Sequence, residues 1–180
     1  KEKYPKWKYL FRLYTWRKNN PQYDQMVMLC ASAYASADFQ KHLLYKNKCY
    51  CWGYFPITKE YDIEMFLRKK EKKTILWCGR LLKWKHPEVA LEIAKRLKHD
   101  GYNFQLNIIG SGELEKELNG FIQRFDLGEH VRLLGSKSPE EVRRYMEGAG
   151  IYLFTSDFRE GWGAVLNESM NSACAVVASH

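Results

Sequence analysis

Ile151-Tyr152-Leu153-Phe154-Thr155-Ser156-Asp157-Phe158-Arg159-Glu160-Gly161-Trp162-Gly163-Ala164-Val165-Leu166-Asn167-Glu168 changes character twice. Residues 151–155 form an apolar run of the kind that makes a strand buried on both faces. After Gly163 the pattern predicts a helix, with Ala164, Leu166, Met170 and Ala173 as candidates for its buried face. A polar loop lies between the two. Glu160 therefore stands on a strand-to-helix loop and Glu168 in the second turn of the helix, with seven residues between them. Both carboxylates can face one crevice. Gly161 and Gly163 let backbone N–H groups approach a ligand closely, and a helix start favours an anion there.

Working outward, the same alternation recurs. Strands are predicted at 74–78, 104–109, 131–134, 151–155 and 175–178. Helices fall between them. One spans 87–99, with Val89, Ile93 and Leu97 four residues apart and Ala90 and Ala94 beside them. A second spans 113–125, with Leu114, Leu118, Phe121, Ile122 and Phe125 inward, and a third spans 139–147, with Ser138 as N-cap. Repeated β-α units with near-continuous apolar strands predict an α/β fold, a Rossmann-like doubly wound parallel sheet with helices on both faces. Ligands bind such sheets outside the carboxyl ends of the strands. Gly79, Gly110, Gly135 and Thr155-Ser156 each stand just after a strand, on that rim.

Upstream the order is less regular. Strands at 26–30 and 49–55 flank a helix at 32–46, and 57–73 reads as a charged linker with a short helix, the best domain boundary. Residues 1–25 are aromatic and basic, with Trp7, Lys8, Phe11, Arg12, Trp16 and Arg17, and Asn19-Asn20-Pro21 closes the segment. A surface that docks on anionic lipid is one reading. The other is an element packed on a neighbour, which is favoured because the aromatic residues do not keep to one face.

Composition narrows the classes. No apolar run is long enough to span a membrane, and no apolar segment follows the basic start. Five cysteines cannot all pair, and Cys30, Cys78 and Cys174 sit in apolar runs, which points to a reducing, cytosolic setting. Cys49 and Cys51 lack a second ligand pair for zinc. The net charge of +8 suits nucleic acid, an anionic membrane or a phosphate-rich substrate alike. No nucleic-acid motif accompanies it.

The rim residues decide among these. Arg80 can grip phosphate oxygens in a fork and Lys85 adds a point charge, although either alone reads as an ordinary exposed cation. Gly110-Ser111-Gly112 alone reads as a tight turn, and it lacks the third glycine of a dinucleotide fingerprint. His86, before Pro87 at a helix start, reads as structural. Phosphate at a helix start and hydroxyls at two carboxylates is the arrangement a sugar nucleotide needs.

Taken together, Glu160 to Glu168, Gly79-Arg80 with Lys85, and Gly110-Ser111-Gly112 resemble the family 4 retaining glycosyltransferases, also called glycosyl transferases group 1, of GT-B fold. The resemblance runs from about Cys30 to Ser179. It implies that Arg80 and Lys85 hold the donor diphosphate, so that no metal or other cofactor is needed. It implies that Glu160 contacts the transferred sugar and Glu168 the ribose. Gly79, Gly110, Gly112, Gly161 and Gly163 would line the donor site, with Gly135-Ser136 beside the base. Two departures stand out: Ala173 where the family has Gly, and Ala175 where it has Pro.

By this resemblance, residues 1–55 are the tail of an acceptor-side domain, 56–73 a linker, and 74–180 a nucleotide-sugar-binding domain truncated at its C-terminus. Such a fragment would be inactive alone. The whole protein would be a hexosyltransferase-type enzyme acting on a cell-surface glycan or lipid-linked acceptor, in the cytoplasm or at the inner face of the cell membrane. A basic module that binds membrane or nucleic acid, and a different doubly wound enzyme such as a phosphorylase or epimerase relative, are the competing readings. The paired glutamates beside Gly-Arg…Lys favour the first. Sugar, base, acceptor and oligomeric state stay open.

Overall fold

The structure is a computed structural model that describes residues 5–19, 25–32, 34–42 and 44–179. The chain divides into two compact units, Lys1–Tyr54 and Phe55–His180.

The first unit contains helix α1 (Lys6–Asn19), strand β1 (Met28–Cys30), helix α2 (Ala35–Lys41) and strand β2 (Cys49–Cys51). The two strands pair in parallel, Met28 opposite Cys49 and Cys30 opposite Cys51. Trp16, Phe39 and Tyr45 pack ring against ring, with centroids 5.7–6.0 Å apart. Trp7, Leu10, Phe11 and Tyr14 of α1 are exposed. Both strands are shorter than expected, and the helix expected at 32–46 ends at Lys41. Tyr45 and Asn47 hold left-handed backbone, φ 47° and 57°, which a helix cannot continue through. The stop at Asn20-Pro21 lies outside the described residues.

The second unit runs α3 (Ile63–Arg68), β3 (Glu71–Cys78), α4 (Pro87–His99), β4 (Gln105–Ile109), α5 (Glu115–Arg124), β5 (Val131–Leu133), α6 (Pro139–Gly148), β6 (Ala149–Phe154), α7 (Ala164–Asn171) and β7 (Ala175–Ala178). The strand order is β5-β4-β3-β6-β7 and every pairing is parallel, so all carboxyl ends share one rim, as the repeating pattern predicts. Alternate residues of β3 feed two cores. Ile75 and Trp77 join Ala90, Leu91 and Ala94 of α4 and Leu118 of α5 on one face. Leu76 and Cys78 join Met146 of α6 and Val165 of α7 on the other. The sheet is thus doubly wound.

Local chemistry fixes the ends. Ser138 and Glu141 form a reciprocal capping box at the start of α6: the Ser138 hydroxyl accepts from Glu141 N–H at 3.2 Å, and the Glu141 carboxylate accepts from Ser138 N–H at 2.9 Å. At its other end Lys70 Nζ donates to the carbonyls of Met146 and Ala149, both at 2.7 Å, satisfying groups a helix end leaves open. Strand β3 starts at Glu71, three residues earlier than expected, because Glu71 pairs with Ala149.

Two expected faces need correction. In α4, Val89 is 41% exposed and Leu91 is buried in its place. In α7, Met170 is 61% exposed and the buried residue is Ser169, with Val165 packed on the core. A small side chain lets this helix sit close to the sheet, and the Ser169 hydroxyl donates to the Leu166 carbonyl at 2.8 Å, so no polar group is stranded. Ala173, also expected on that face, lies beyond the helix.

Candidate functional site

The loops at the carboxyl rim are stitched together by backbone hydrogen bonds. Gly79 N–H donates to the Ile109 carbonyl at 3.0 Å, Leu81 N–H to Ser111 at 2.9 Å, and Gly110 N–H to Gly135 at 2.9 Å. Glycine is needed where these loops touch. A Cβ on Gly110 (φ 139°) would lie 1.8 Å from the Gly79 oxygen, and one on Gly112 would lie 2.6 Å from that of Leu81. The close turn at 110–112 thus lets the β4–α5 loop pack against the β3–α4 loop. Ser111 and Ser136 join hydroxyls at 2.8 Å across the rim.

The β3–α4 loop is also held from its other side. The Trp77 indole N–H donates to Thr155 Oγ1 at 2.8 Å, and the Thr155 hydroxyl donates to the Lys85 carbonyl at 2.7 Å. Asp157 N–H donates to the Trp84 carbonyl at 3.0 Å. This fixes the backbone from which the Lys85 side chain leaves. That side chain is largely buried, lies over the Trp84 ring and donates to the Glu160 carboxylate. Glu160 accepts a second bond, from the Ser156 hydroxyl at 2.9 Å. Lys85 and Glu160 are therefore brought together, although 75 residues separate them in the chain.

Gly163 is the N-cap of α7, with φ 71°. A Cβ there would lie 2.6 Å from the Phe154 ring, so glycine lets the helix start against the end of β6. A Cβ on Gly161 would meet open space. Glu168, partly buried in α7, sits near the end of β3. Burial, together with the Glu168 charge, pushes the Cys78 thiol up to about 11. Arg80 is exposed, and no hydrogen bond or ion pair joins it to Lys85 or Glu160 among the described residues. No group of three or more His, Cys, Asp or Glu among the described residues is placed to hold a metal ion.

Of the residues expected at the donor site, the structure brings Lys85 and Glu160 together, and around them stand three neighbours that no motif marks as ligand groups. Thr155 and Ser156, on the rim, hold the Lys85 backbone and the Glu160 carboxylate. His86 has φ 50° and places Nδ1 2.7 Å from Glu88 Oε1 and Nε2 3.5 Å from Asp157 Oδ2. The signal available for His86 was its position between Lys85 and Pro87. A cavity of about 650 Å³ lies at the opposite end of the sheet, lined by Leu67, Lys70, Gly150 and Ala175 among others. The carboxyl rim is the candidate site because ligands of parallel sheets bind there and because Lys85, Ser156 and Glu160 converge there.

Residues 58–180 match the sequence profile of the family described as glycosyl transferases group 1. The amylovoran biosynthesis glycosyltransferase AmsK of Erwinia amylovora is 38% identical over 110 residues, and the putative colanic acid biosynthesis glycosyltransferase WcaL of Escherichia coli is 30% identical over 110 residues. Each match covers 58% of this chain and 27% of the relative, so the chain spans roughly a quarter of the length of these proteins. Among solved structures, WaaG, a glycosyltransferase involved in lipopolysaccharide biosynthesis, aligns with a TM-score of 0.69 at 20% identity, over 98% of this chain and 51% of its own. Alr3699/HepE of Anabaena in complex with UDP-glucose aligns with a TM-score of 0.70 at 19% identity, over 93% of this chain and 48% of its own.

Proposed function

This chain belongs to the glycosyl transferases group 1 family, and from that premise we propose that it carries the donor-binding half of a retaining, metal-independent glycosyltransferase. The donor is a nucleotide-diphospho-sugar. Arg80 and Lys85 hold its diphosphate, and the open N–H groups at the Gly163 helix start lie on the same rim. Glu160 takes hydroxyls of the transferred sugar and Glu168 those of the ribose. Gly79, Gly110 and Gly112 keep the floor of the site thin enough for backbone to approach the ligand. The observation that carries this reading is the meeting of Lys85 with Glu160 at the mouth of the loop leading to α7. The cation meant for phosphate and the carboxylate meant for sugar are adjacent, as a diphospho-sugar requires.

The reaction breaks the bond between the sugar's anomeric carbon and the diphosphate oxygen. A bond to the acceptor hydroxyl forms on the same face, and the acceptor proton passes to the departing phosphate oxygen. The protein's part is positioning and stabilising leaving-group charge. Glu160 is a binding group for the sugar and not a nucleophile. UDP-glucose in the HepE structure supports a donor of this chemical class. The names of AmsK and WcaL, from amylovoran and colanic acid biosynthesis, support a cell-surface glycan or lipid-linked acceptor. The enzyme acts, on this reading, in the cytoplasm or at the inner membrane face. Among the described residues no helix is long and apolar enough to cross a membrane.

Thermal melting of the chain with UDP, GDP or dTDP, against heparin as a polyanion control, tests the reading. A nucleoside diphosphate at about 100 times its Kd should stabilise the fold by about 2.7 kcal/mol. Stabilisation by heparin alone would replace the donor site with a general polyanion surface.

A further inference from the structure

His86 is a left-handed, non-glycine residue at the junction between the loop that carries Lys85 and helix α4. Its side chain does not cap that helix. Instead the ring lies between two carboxylates from different elements. Nδ1 is 2.7 Å from Glu88 Oε1 on α4, and Nε2 is 3.5 Å from Asp157 Oδ2 on the β6–α7 loop. The other charged groups around it are Arg159, which forks onto Asp157, and Lys85, next in the chain and committed to Glu160.

A neutral imidazole has one N–H and one bare lone pair. An ionised carboxylate can only accept. A neutral His86 can therefore donate to Glu88 or to Asp157, and it turns a lone pair toward the other. Only the protonated ring donates to both. Asp157 stays ionised throughout, because hydrogen bonds from Arg159 hold its carboxyl far below the usual carboxylate range. The two anchor points are the ones that matter for the site. Asp157 N–H is bonded to the Trp84 carbonyl, and Glu160 N–H to the Asp157 carbonyl at 3.0 Å. The ring thus lies where the loop that presents Lys85 meets the loop that presents Glu160, within ion-pair range of Asp157 at 3.5 Å.

We propose that His86 is a positioning residue for the donor site, whose protonated ring braces the β3–α4 loop against the β6–α7 loop and so strengthens diphosphate binding toward the acid side of neutrality. The proposal rests on the donor-site reading above.

The experiment compares the whole chain with its H86G variant. Glycine keeps the left-handed backbone and removes the side chain. Affinities for UDP and for GDP are measured by calorimetry at pH 6 and pH 8. The ratio of variant to unaltered affinity cancels the titration of the nucleotide itself. H86G should weaken binding about three- to tenfold at pH 6, the value of one hydrogen bond in partial solvent, and less than about twofold at pH 8. An equal loss at both pH values would mean that the ring only fills space, and it would overturn the proposal, as would no loss at all. Failure of the unaltered chain to bind either nucleotide would instead overturn the donor-site reading, and this proposal with it. A readout independent of nucleotide is the ¹⁵N–¹H spectrum of the His86 ring at pH 6. Signals from two protonated nitrogens are expected, and a single neutral tautomer would overturn the brace.

Discussion

Ala173 holds φ 53° two residues past the end of α7, with its N–H bonded to the Met170 carbonyl and that of Cys174 bonded to the Ser169 carbonyl. This is the left-handed closure of a helix that glycine normally provides. An alanine methyl there costs roughly 1 kcal/mol. Ala173→Gly is therefore expected to raise stability by about 1 kcal/mol, read as a shift in urea midpoint at constant slope. Gly110→Ala should do the reverse and lower the melting temperature sharply, since its Cβ would overlap the Gly79 oxygen. Arg80→Ala tests the donor site directly. A charge-assisted bond to phosphate is worth roughly 1.5–3 kcal/mol, so nucleoside diphosphate affinity should fall about tenfold or more by calorimetry. Unchanged affinity would remove Arg80 from the site. At this scale the sequence was legible where a residue type is rare for a reason, as at Gly110, Gly163 and the departure Ala173. It was silent on Thr155, Ser156 and His86. Thr155 answers to partners 70 and 78 residues away and His86 to a place between two loops, while Ser156 bonds Glu160 four residues on within a loop that has no regular period, and no spacing rule encodes any of these.

At the scale of elements, residues 57–61 are a strap laid over α6 and α7. Lys59 N–H donates to Asn171 Oδ1 at 2.9 Å, and Lys59 Nζ and Tyr61 Oη both reach Glu147 Oε1 at 2.8 Å. Arg143 bonds the Ile57 carbonyl from below. Burial pushes the Glu147 carboxyl up, but the bonds from Lys59 and Tyr61 and the nearby cations outweigh it, and the net shift is downward. A carboxyl depressed in the fold stabilises it above the unfolded pKa and loses that effect as pH falls through the folded one. Glu147→Gln should therefore cost about 0.5–1 kcal/mol at pH 7, since the pair is half-exposed, with the gap to the unaltered chain closing below about pH 4. Melts at both pH values check it. A gap that stayed constant would mean the carboxylate charge contributes nothing. Element type was legible wherever apolar residues recur regularly, as in α5 and β4. Faces were less so: Ser169 took the buried place expected for Met170, because closeness to the sheet favoured volume over hydrophobicity.

For the whole molecule, every residue assigned to the donor site lies between Gly79 and Glu168, inside the unit Phe55–His180. That unit expressed alone should keep the nucleoside diphosphate affinity of the full chain within about twofold, the scatter of a ΔΔG of roughly 0.4 kcal/mol. Loss of binding on removing residues 1–54 would place part of the site in the first unit. The doubly wound sheet was legible because parallel strands buried on both faces leave nearly unbroken apolar runs, separated by amphipathic helices. The first unit was not, because its strands are three residues each, too short to show a period.

The central strand carries one more consequence, in time. β3 takes β4 on one side and β6 on the other, and about seventy residues separate the end of β3 from the start of β6. At synthesis rates of 5–20 residues per second, roughly 4–14 s pass between the appearance of the two strands. Throughout that interval the β6-facing edge of Ile75-Leu76-Trp77 has no strand to pair with on a nascent chain. Ribosome-stalled chains ending before Ala149 should therefore recruit holding chaperones, and chains extended past β6 and clear of the exit tunnel should release them. Equal recruitment by both lengths would show that β3 is shielded before its second neighbour exists.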